Sequence, residues 1–340
     1  MAQQSKTNDA RYRWVCVNAE ASFAPRDGAG ALTFRNKMWL LGGWNPRDMT
    51  HFPRMCNNEV WSSENGCDWV LEKPNTFHSF GRTFKRLSDW AGRHCSGYVV
   101  YKDKMWIVGG DANQGHYHND VWNSDDGRVW HYVNNGKPVP WRPRCHHHTV
   151  VFNDRILVMG GQTSPQFAEA EEKFYNDVWS TSDGINWEKI ETQGDIWTPR
   201  GLIGGSAVLN ERIWMLGGGT YDTPTTPERK HYNDVWSSGD GARWTLHTAN
   251  APWASRSMHD VAAFDGKLWV LEGSWAAEGQ RSRNQNDVWY SSDGVNWTEL
   301  PGTPWKPRHA ASVFVHDNAL WMVAGNNMES DVWKLVRVPD

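Results

Sequence analysis

Short apolar runs alternate with polar, glycine-containing breaks along this chain, and the alternation repeats as one cassette. An arginine opens the first run, as in Arg144-Cys-His-His-His-Thr-Val-Val-Phe. A polar pair then interrupts it, Asn153-Asp154 here and Asp103-Lys104, Asp265-Gly266 and Asp317-Asn318 elsewhere, as suits a tight hairpin. The second run is strongly apolar and ends in a glycine pair: Met38 to Gly43, Met105 to Gly110, Ile156 to Gly161, Ile213 to Gly218. After a variable stretch comes Asn-Asp-Val-Trp, and then a Ser-Asp-Gly-x-x-Trp hairpin leading into a last short run. The pattern predicts four short antiparallel strands per cassette.

The tryptophans mark the frame. Asp-Val-Trp, once Glu-Val-Trp, recurs at Trp61, Trp122, Trp179, Trp236, Trp289 and Trp333, and a second Trp follows the first five by eight residues. Five more stand three residues before an arginine, where Phe23 takes the first place, and five lie in the strand before the glycine pair. Trp14 substitutes for the partner missing after Trp333, so 22 of the 24 Trp belong to the repeat; Trp44 and Trp275 do not. Six anchor arginines, Arg26, Arg93, Arg144, Arg200, Arg256 and Arg308, are spaced by 67, 51, 56, 56 and 52 residues. One such sheet cannot cover both its faces, whereas radial stacking of several does.

On the glycine doublet, the second-strand aromatic and the later Trp at fixed spacing, the chain resembles the kelch-repeat proteins over residues 11–337. The resemblance implies an all-β fold, a six-bladed kelch-type β-propeller with four antiparallel strands per blade. The hairpins at 181–187 and 291–297 also resemble the Asp-box turns of sialidase-like propellers. The last cassette holds only three strands, so the run Tyr12 to Val17 is expected to supply its fourth and close the ring. Residues 1–10 are expected to be a disordered tail and 11–340 a single domain.

Net charge of −4 leaves no basic footprint, which argues against nucleic acid and anionic membranes as partners. No apolar run approaches the ~20 residues of a spanning helix. The N-terminus lacks an apolar leader core, so a cytoplasmic protein, or a secreted form whose signal has been removed, is expected. Five cysteines, Cys16, Cys56, Cys67, Cys95 and Cys145, read as free thiols rather than a disulfide framework, although Cys56 and Cys67 flank one strand and could pair after secretion.

Strand order puts the long, dissimilar loops on one face, where function usually resides. These are 44–57, 111–118, 162–175, 219–232 and 274–285, with the insertion 72–89, which holds Phe77, His78, Phe80, Arg82, Phe84, Lys85 and Arg86. Trp44 and Trp275 lie there and are candidates for stacking on a ligand. Residues one and three after each anchor Arg are expected on one side of the first strand. This brings Asp27, His94, Cys145, His147, His259 and His309 toward one opening, with His51, His116 and His118 on loops. In the His146-His147-His148 run the same alternation puts His147 opposite its neighbours.

Two glycine doublets are broken, as Glu272-Gly273 and Ala324-Gly325. A buried Glu is costly unless paired, which makes Glu272 a candidate functional carboxylate or the partner of a neighbouring arginine. Asp27 is a second carboxylate on the rim. His94, His147, His259 and His309 are candidate ligands for a divalent transition metal (Fe, Cu, Zn or Mn), while His147 and His259 could equally cap backbone between blades. Arg26, Arg93 and Arg144 could bind an anionic ligand bidentately or bridge structural carboxylates. Two functions follow. One is a small-molecule enzyme of isomerase or lyase type, with Glu272, Asp27, His94 and His309 in acid–base or metal-assisted roles. The alternative is a non-catalytic module that binds a protein or glycan through its aromatic loop face.

Overall fold

The computed structural model describes residues 12–49, 55–76, 89–112, 116–135, 137–163, 173–201, 205–220, 229–275 and 283–338. The tail expected at 1–10, His51 and the aromatic and basic residues 77–86 of the insertion lie outside these residues. Six four-stranded antiparallel sheets form the blades of a propeller, five of them with their strands in sequential order. The third blade is typical, with strands His148–Phe152, Arg155–Thr163, Lys173–Thr181 and Glu188–Ile190. Among the described residues no helix is long and apolar enough to cross a membrane.

The sixth blade closes the ring as the sequence predicts. Its first three strands are Ser312–His316, Ala319–Val323 and Val332–Arg337, and its fourth is Tyr12–Asn18, antiparallel with Tyr12 opposite Arg337 and Cys16 opposite Trp333. Trp14 packs edge-on against Trp305 at 4.3 Å and 89°. The pairs Trp90–Trp130, Trp141–Trp187, Trp197–Trp244 and Trp253–Trp297 repeat this contact in other blades, and Phe23–Trp69 does so in the first. Edge-to-face geometry satisfies the ring quadrupoles and adds to the burial term.

Hairpin chemistry explains the polar pairs. Arg35-Asn36, Lys102-Asp103, Asn153-Asp154, Asn210-Glu211 and Asp317-Asn318 all have both residues left-handed. This type I′ turn matches the strand twist. In the second blade the turn is therefore Lys102-Asp103, one residue before the expected Asp103-Lys104.

The Asp-Val-Trp motif has a specific job. In five blades the anchor arginine forks onto the motif's Asp: Arg93 onto Asp120, Arg144 onto Asp177, Arg200 onto Asp234, Arg256 onto Asp287 and Arg308 onto Asp331, with N–O distances of 2.6–3.0 Å. In the first blade Arg26 meets Glu59 at 2.8 Å. The same carboxylates accept the indole N–H of the motif's own Trp, at 2.7–3.0 Å. Each arginine also donates to the carbonyl of the first doublet residue, as Arg26 does to Gly42 and Arg308 to Ala324. One buried guanidinium thereby ties the first, second and third strands of its blade together.

The Ser-x-Asp-Gly hairpins lock the blades to each other. In the third blade Thr181 Oγ accepts from the amide of Gly184, Asp183 accepts from the amides of Ile185 and Asn186, and the Trp187 indole donates to the Gly184 carbonyl. A Cβ on the turn glycine would strike the second-strand Trp of the preceding blade: 2.3 Å for Gly127 on Trp39, 2.3 Å for Gly294 on Trp214 and 2.4 Å for Gly66 on Trp321.

The glycine doublet has two unequal halves. Its first residue sits near φ +60, as at Gly42 and Gly160, and Glu272 (φ 50) and Ala324 (φ 58) adopt the same left-handed conformation. The second sits at φ 93–116 in all six blades and is always Gly. L residues tolerate the first region at modest cost and not the second, which is why only the first position varies.

A further ring surrounds the axis. The second residue after the anchor Arg is left-handed at Gly28, Cys95, His146, Met258 and Ala310 (φ 51–57). The N–H of Gly28 donates to the Ala310 carbonyl, Cys95 to Gly28, His146 to Cys95 and Ala310 to Met258, at 2.8–3.0 Å. These head-to-tail bonds form a backbone collar from blade to blade. The fourth blade's counterpart falls within 202–204, outside the described residues.

Two stability predictions follow from this framework. Asp120→Asn should destabilise the protein by about 3–5 kcal/mol in urea unfolding, because it strands the buried Arg93 charge; a loss under ~1 kcal/mol would show that the fork is not a structural element. Gly161→Ala, whose Cβ would lie 2.8 Å from His147 Cβ, should cost about 1–3 kcal/mol more than Gly160→Ala, whose nearest neighbour is at 3.3 Å. Equal losses would contradict the asymmetry of the doublet.

Candidate functional site

The first residue after each anchor Arg is held at the long-loop mouth by a bridge to the residue after the glycine doublet. The pairs are Asp27–Trp44, His94–Asp111, Cys145–Gln162, Gly201–Gly219, Ser257–Ser274 and His309–Asn326. This bridge places Asp27, His94 and His309 on one rim, from the first, second and sixth blades.

Asp27 is buried and accepts from Asn326 Nδ2 at 2.9 Å. Burial pushes its carboxyl up to about 7, opposed in part by the His94 imidazole and the Asn326 amide. His94 lies 3.6 Å from Asp111, and Trp44 stacks on its ring at 6.3 Å and 22°. Trp44 thus belongs to the rim's packing as well as its surface. Burial disfavours the His94 charge, but Cys95, Cys56 and Asp111 outweigh it and hold the imidazole well above its usual range. Burial likewise opposes a Cys95 thiolate, and His146 and His94 outweigh it and lower its pKa. The second-blade rim can therefore hold an imidazolium–thiolate pair. His309 bonds Asn284 through Nδ1 at 2.7 Å and stays neutral, pushed down to about 4 by burial and by His146.

The left-handed collar residue changes how the first strand begins. Regular strand starts only at the fourth residue after Arg, as at Gly97 and His148, so simple alternation does not hold before it. His146, His147 and His148 all line the central cavity instead of splitting between two faces. His147 Nε2 lies 3.1 Å from the Val108 carbonyl of the preceding blade. His259 Nε2 lies 3.4 Å from the Gly205 amide. Both act as caps between blades, and burial followed by the nearby Arg144 or Arg256 keeps them neutral, His147 at about 3.

These placements do not bring the four candidate histidines together. Among the described residues no three His, Cys, Asp or Glu side chains converge to hold a metal ion. His94 and His309 sit on the rim, while His147 and His259 turn between blades to backbone groups. Arg26, Arg93 and Arg144 are also drawn away from ligand binding: each is buried and its donors are taken by the blade's own carboxylate and carbonyl. None of the five cysteines is in a disulfide, and Cys56 is buried while Cys67 is exposed.

Glu272 does not open on the mouth. It is fully buried with its carboxyl beside that of Asp260, and Arg256 bonds its backbone carbonyl rather than its side chain. Its neighbour is Asp260, a second carboxyl. Burial first, then mutual repulsion, pushes the Glu272 carboxyl up, and burial raises Asp260 as well. Two adjacent buried carboxyls hold a shared proton rather than two charges. Trp275 is half-buried in a two-residue ladder, paired with Arg283.

Asp260, Cys95 and Asn326 were not singled out by sequence reasoning. Asp260 left a readable signal: it stands four residues after its anchor Arg, where the first and second blades carry Gly30 and Gly97. Cys95 and Asn326 acquire meaning only from neighbours on other blades.

Comparison with known proteins agrees with this architecture. Residues 89–244, the second and third blades and part of the fourth, match the family model described as the KLHDC2/KLHL20/DRC7 Kelch-repeats domain. The fold is a six-bladed β-propeller, and its second and third blades with part of the fourth match the kelch-repeat domain. Beta-scruin of Limulus polyphemus is 25% identical over 204 residues, 54% of this chain and 19% of that protein. Alpha-scruin of the same organism is 24% identical over 206 residues, again 54% and 19%. The chain thus spans about a fifth of the length of these relatives.

The carboxyl pair makes a pH prediction. A carboxyl whose pKa is raised on folding contributes most below its unfolded pKa and loses that contribution as pH rises. Relative to Glu272→Gln, the parent protein should therefore lose stability from about pH 4–5 upward, by up to about 1.4 kcal/mol per pH unit while the proton is held. Urea unfolding of both proteins between about pH 5 and 8 checks this, and parallel profiles would rule out the shared proton.

Proposed function

We propose that this propeller is a non-catalytic recognition module that holds a protein segment or a glycan on its long-loop face. The observation that carries this reading is the engagement of the mouth's chemistry-bearing groups by the propeller itself. His147 and His259 meet backbone of the preceding blade, His309 meets Asn284, and the arginines meet the motif carboxylates. An acid–base enzyme needs such groups free and converging on one reacting atom. The rim instead offers half-buried aromatic residues on the first, second, third and fifth blades, Trp44, Tyr117, Phe174 and Trp275, beside exposed Arg47 and Met49. Aromatic and arginine side chains on a rigid scaffold are the usual anchors of recognition surfaces. Kinship with kelch-repeat proteins supports the same reading.

The isomerase- or lyase-type reading rests on one cluster, Asp27 with His94 and Cys95. It is separated from the first by Asp27→Asn, which would remove turnover in an enzyme and leave a recognition surface working.

The test is selection of ligands for the whole chain from a random-peptide library and a glycan array. Trp275→Ala combined with Arg47→Glu should weaken the selected ligand at least about tenfold. Val129→Glu with Ile185→Glu, on exposed turns of the opposite face, should leave it unchanged. Equal loss from both faces, or no ligand from either source, would refute the proposal.

A further inference from the structure

One collar residue is a thiol held by two imidazoles. Cys95 donates its backbone N–H to the Gly28 carbonyl, and its own carbonyl accepts from His146. The first and third blades therefore flank it at the neck of the channel. Its side chain hydrogen-bonds both His94 and His146. Those two rings stand 6.4 Å apart at 67°, and the sulfur bridges them. Asp111 lies 3.6 Å from His94, and Asp27, Cys56 and Cys145 complete the titratable surroundings of the cluster.

The sulfur is open to approach from the axis. Cys95 lines the central cavity of ≈ 240 Å³ together with His146, His148 and Thr149. Beside it the collar carries no side chain. Cys95, His146, Met258 and Ala310 hold a left-handed φ of 51–54 where Gly28 holds 57, so the collar backbone does not demand glycine. A Cβ on Gly28 would lie 3.0 Å from Cys95 Sγ and 3.2 Å from His94 Cβ. Glycine thus keeps free the space at the sulfur. In the same cavity His148 Nδ1 and Thr149 Oγ1 are buried without a hydrogen-bond partner among the described residues. Buried polar atoms are normally paired, so the cavity suits a small molecule that both donates and accepts.

The thiolate is the attacking form of a cysteine, and cationic or hydrogen-bonding neighbours favour it. At Cys95 burial opposes the thiolate, but the two imidazoles outweigh it and bring the thiol down to about 6. At Cys145 burial wins and the thiol is raised.

We propose that Cys95 is a modification site, a thiol that a small peroxide entering the central cavity oxidises to the sulfenic acid. The thiol proton passes to an imidazole of the cluster. A sulfur electron pair attacks one peroxide oxygen, the S–O bond forms and the O–O bond breaks. The departing hydroxide takes the proton from the imidazolium and leaves as water. Sulfur loses two electrons and the peroxide gains them. A peroxide both donates and accepts at the polar wall, and its leaving oxygen needs the proton that the adjacent imidazolium holds. The site is separate from the loop-face surface and does not depend on it.

Treating the full chain with hydrogen peroxide, trapping sulfenic acid with dimedone and mapping the adducts by mass spectrometry tests the assignment. Cys95 should be trapped at least about tenfold faster than the exposed Cys16 and Cys67. His94→Gln and His146→Gln should each slow it about tenfold, with Cys16 unaffected. Gly28→Ala closes the approach and leaves both imidazoles in place. It should also slow the trapping of Cys95, and it keeps the proposal testable if the histidine variants fail to fold. Trapping at Cys16 or Cys67 ahead of Cys95, oxidation of Cys95 only in urea, or a Cys95 rate unchanged in all three variants would overturn the proposal. So would alkylation of Cys95 by iodoacetamide with no oxidation by peroxide.

Discussion

The propeller depends on a fork of hydrogen bonds made by an arginine that water never reaches. A guanidinium has five donors in one plane and cannot give up its charge, so burying it obliges the blade to supply a carboxylate and a carbonyl at fixed positions. The Asp-Val-Trp motif supplies the first and the glycine doublet the second. Because the same Asp oxygen also takes the motif's indole N–H, the carboxylate cannot rotate away, and the Trp that fills the space between blades is aimed by the charge pair that holds its own blade together. Polar geometry sets the register, and hydrophobic burial around it provides the driving force.

This coupling explains which features of the fold were legible in the chain. Residues that serve the repeat appear six times, so their spacing could be read without knowing their contacts. Trp14 could even be assigned to the gap after Trp333, since only an aromatic residue completes the edge-to-face pair with Trp305. Where a local conformation departs from the regular strand, legibility ended. The left-handed residue after the anchor arginine sits at Gly28, Cys95, His146, Met258 and Ala310, five side chains with no common chemistry. No composition rule could mark it, and the alternation read through His146-His147-His148 failed there.

The candidate site was legible only in part, for a related reason. Asp27 and His94 were found because both follow an anchor arginine, and the fold does bring them to one rim. Glu272 was found as a broken doublet, yet its meaning came from Asp260, twelve residues away in sequence and adjacent only through the strand pairing of the fifth blade. The histidines at the third position after Arg invite a metal-ligand reading because imidazole suits both a metal and a backbone carbonyl. The backbone groups that His147 and His259 meet belong to Val108 and Gly205, and both lie on other blades. Single-chain spacing identifies what a repeat has in common; sites in a ring are made from what its members do not share.

The collar around the axis is built from backbone alone. Its hydrogen bonds ask of each contributing residue only a left-handed φ, a demand that Gly, Cys, His, Met and Ala all meet in this chain. Hoop integrity and lining chemistry are therefore separate variables. The neck of the channel can be widened, charged, made apolar or made reactive by single substitutions without breaking the hoop that bears the blades. A scaffold with that property can acquire a new interior while its exterior and its stability stay nearly constant, and the unlike residues now facing one another across the neck are what such a history would leave behind.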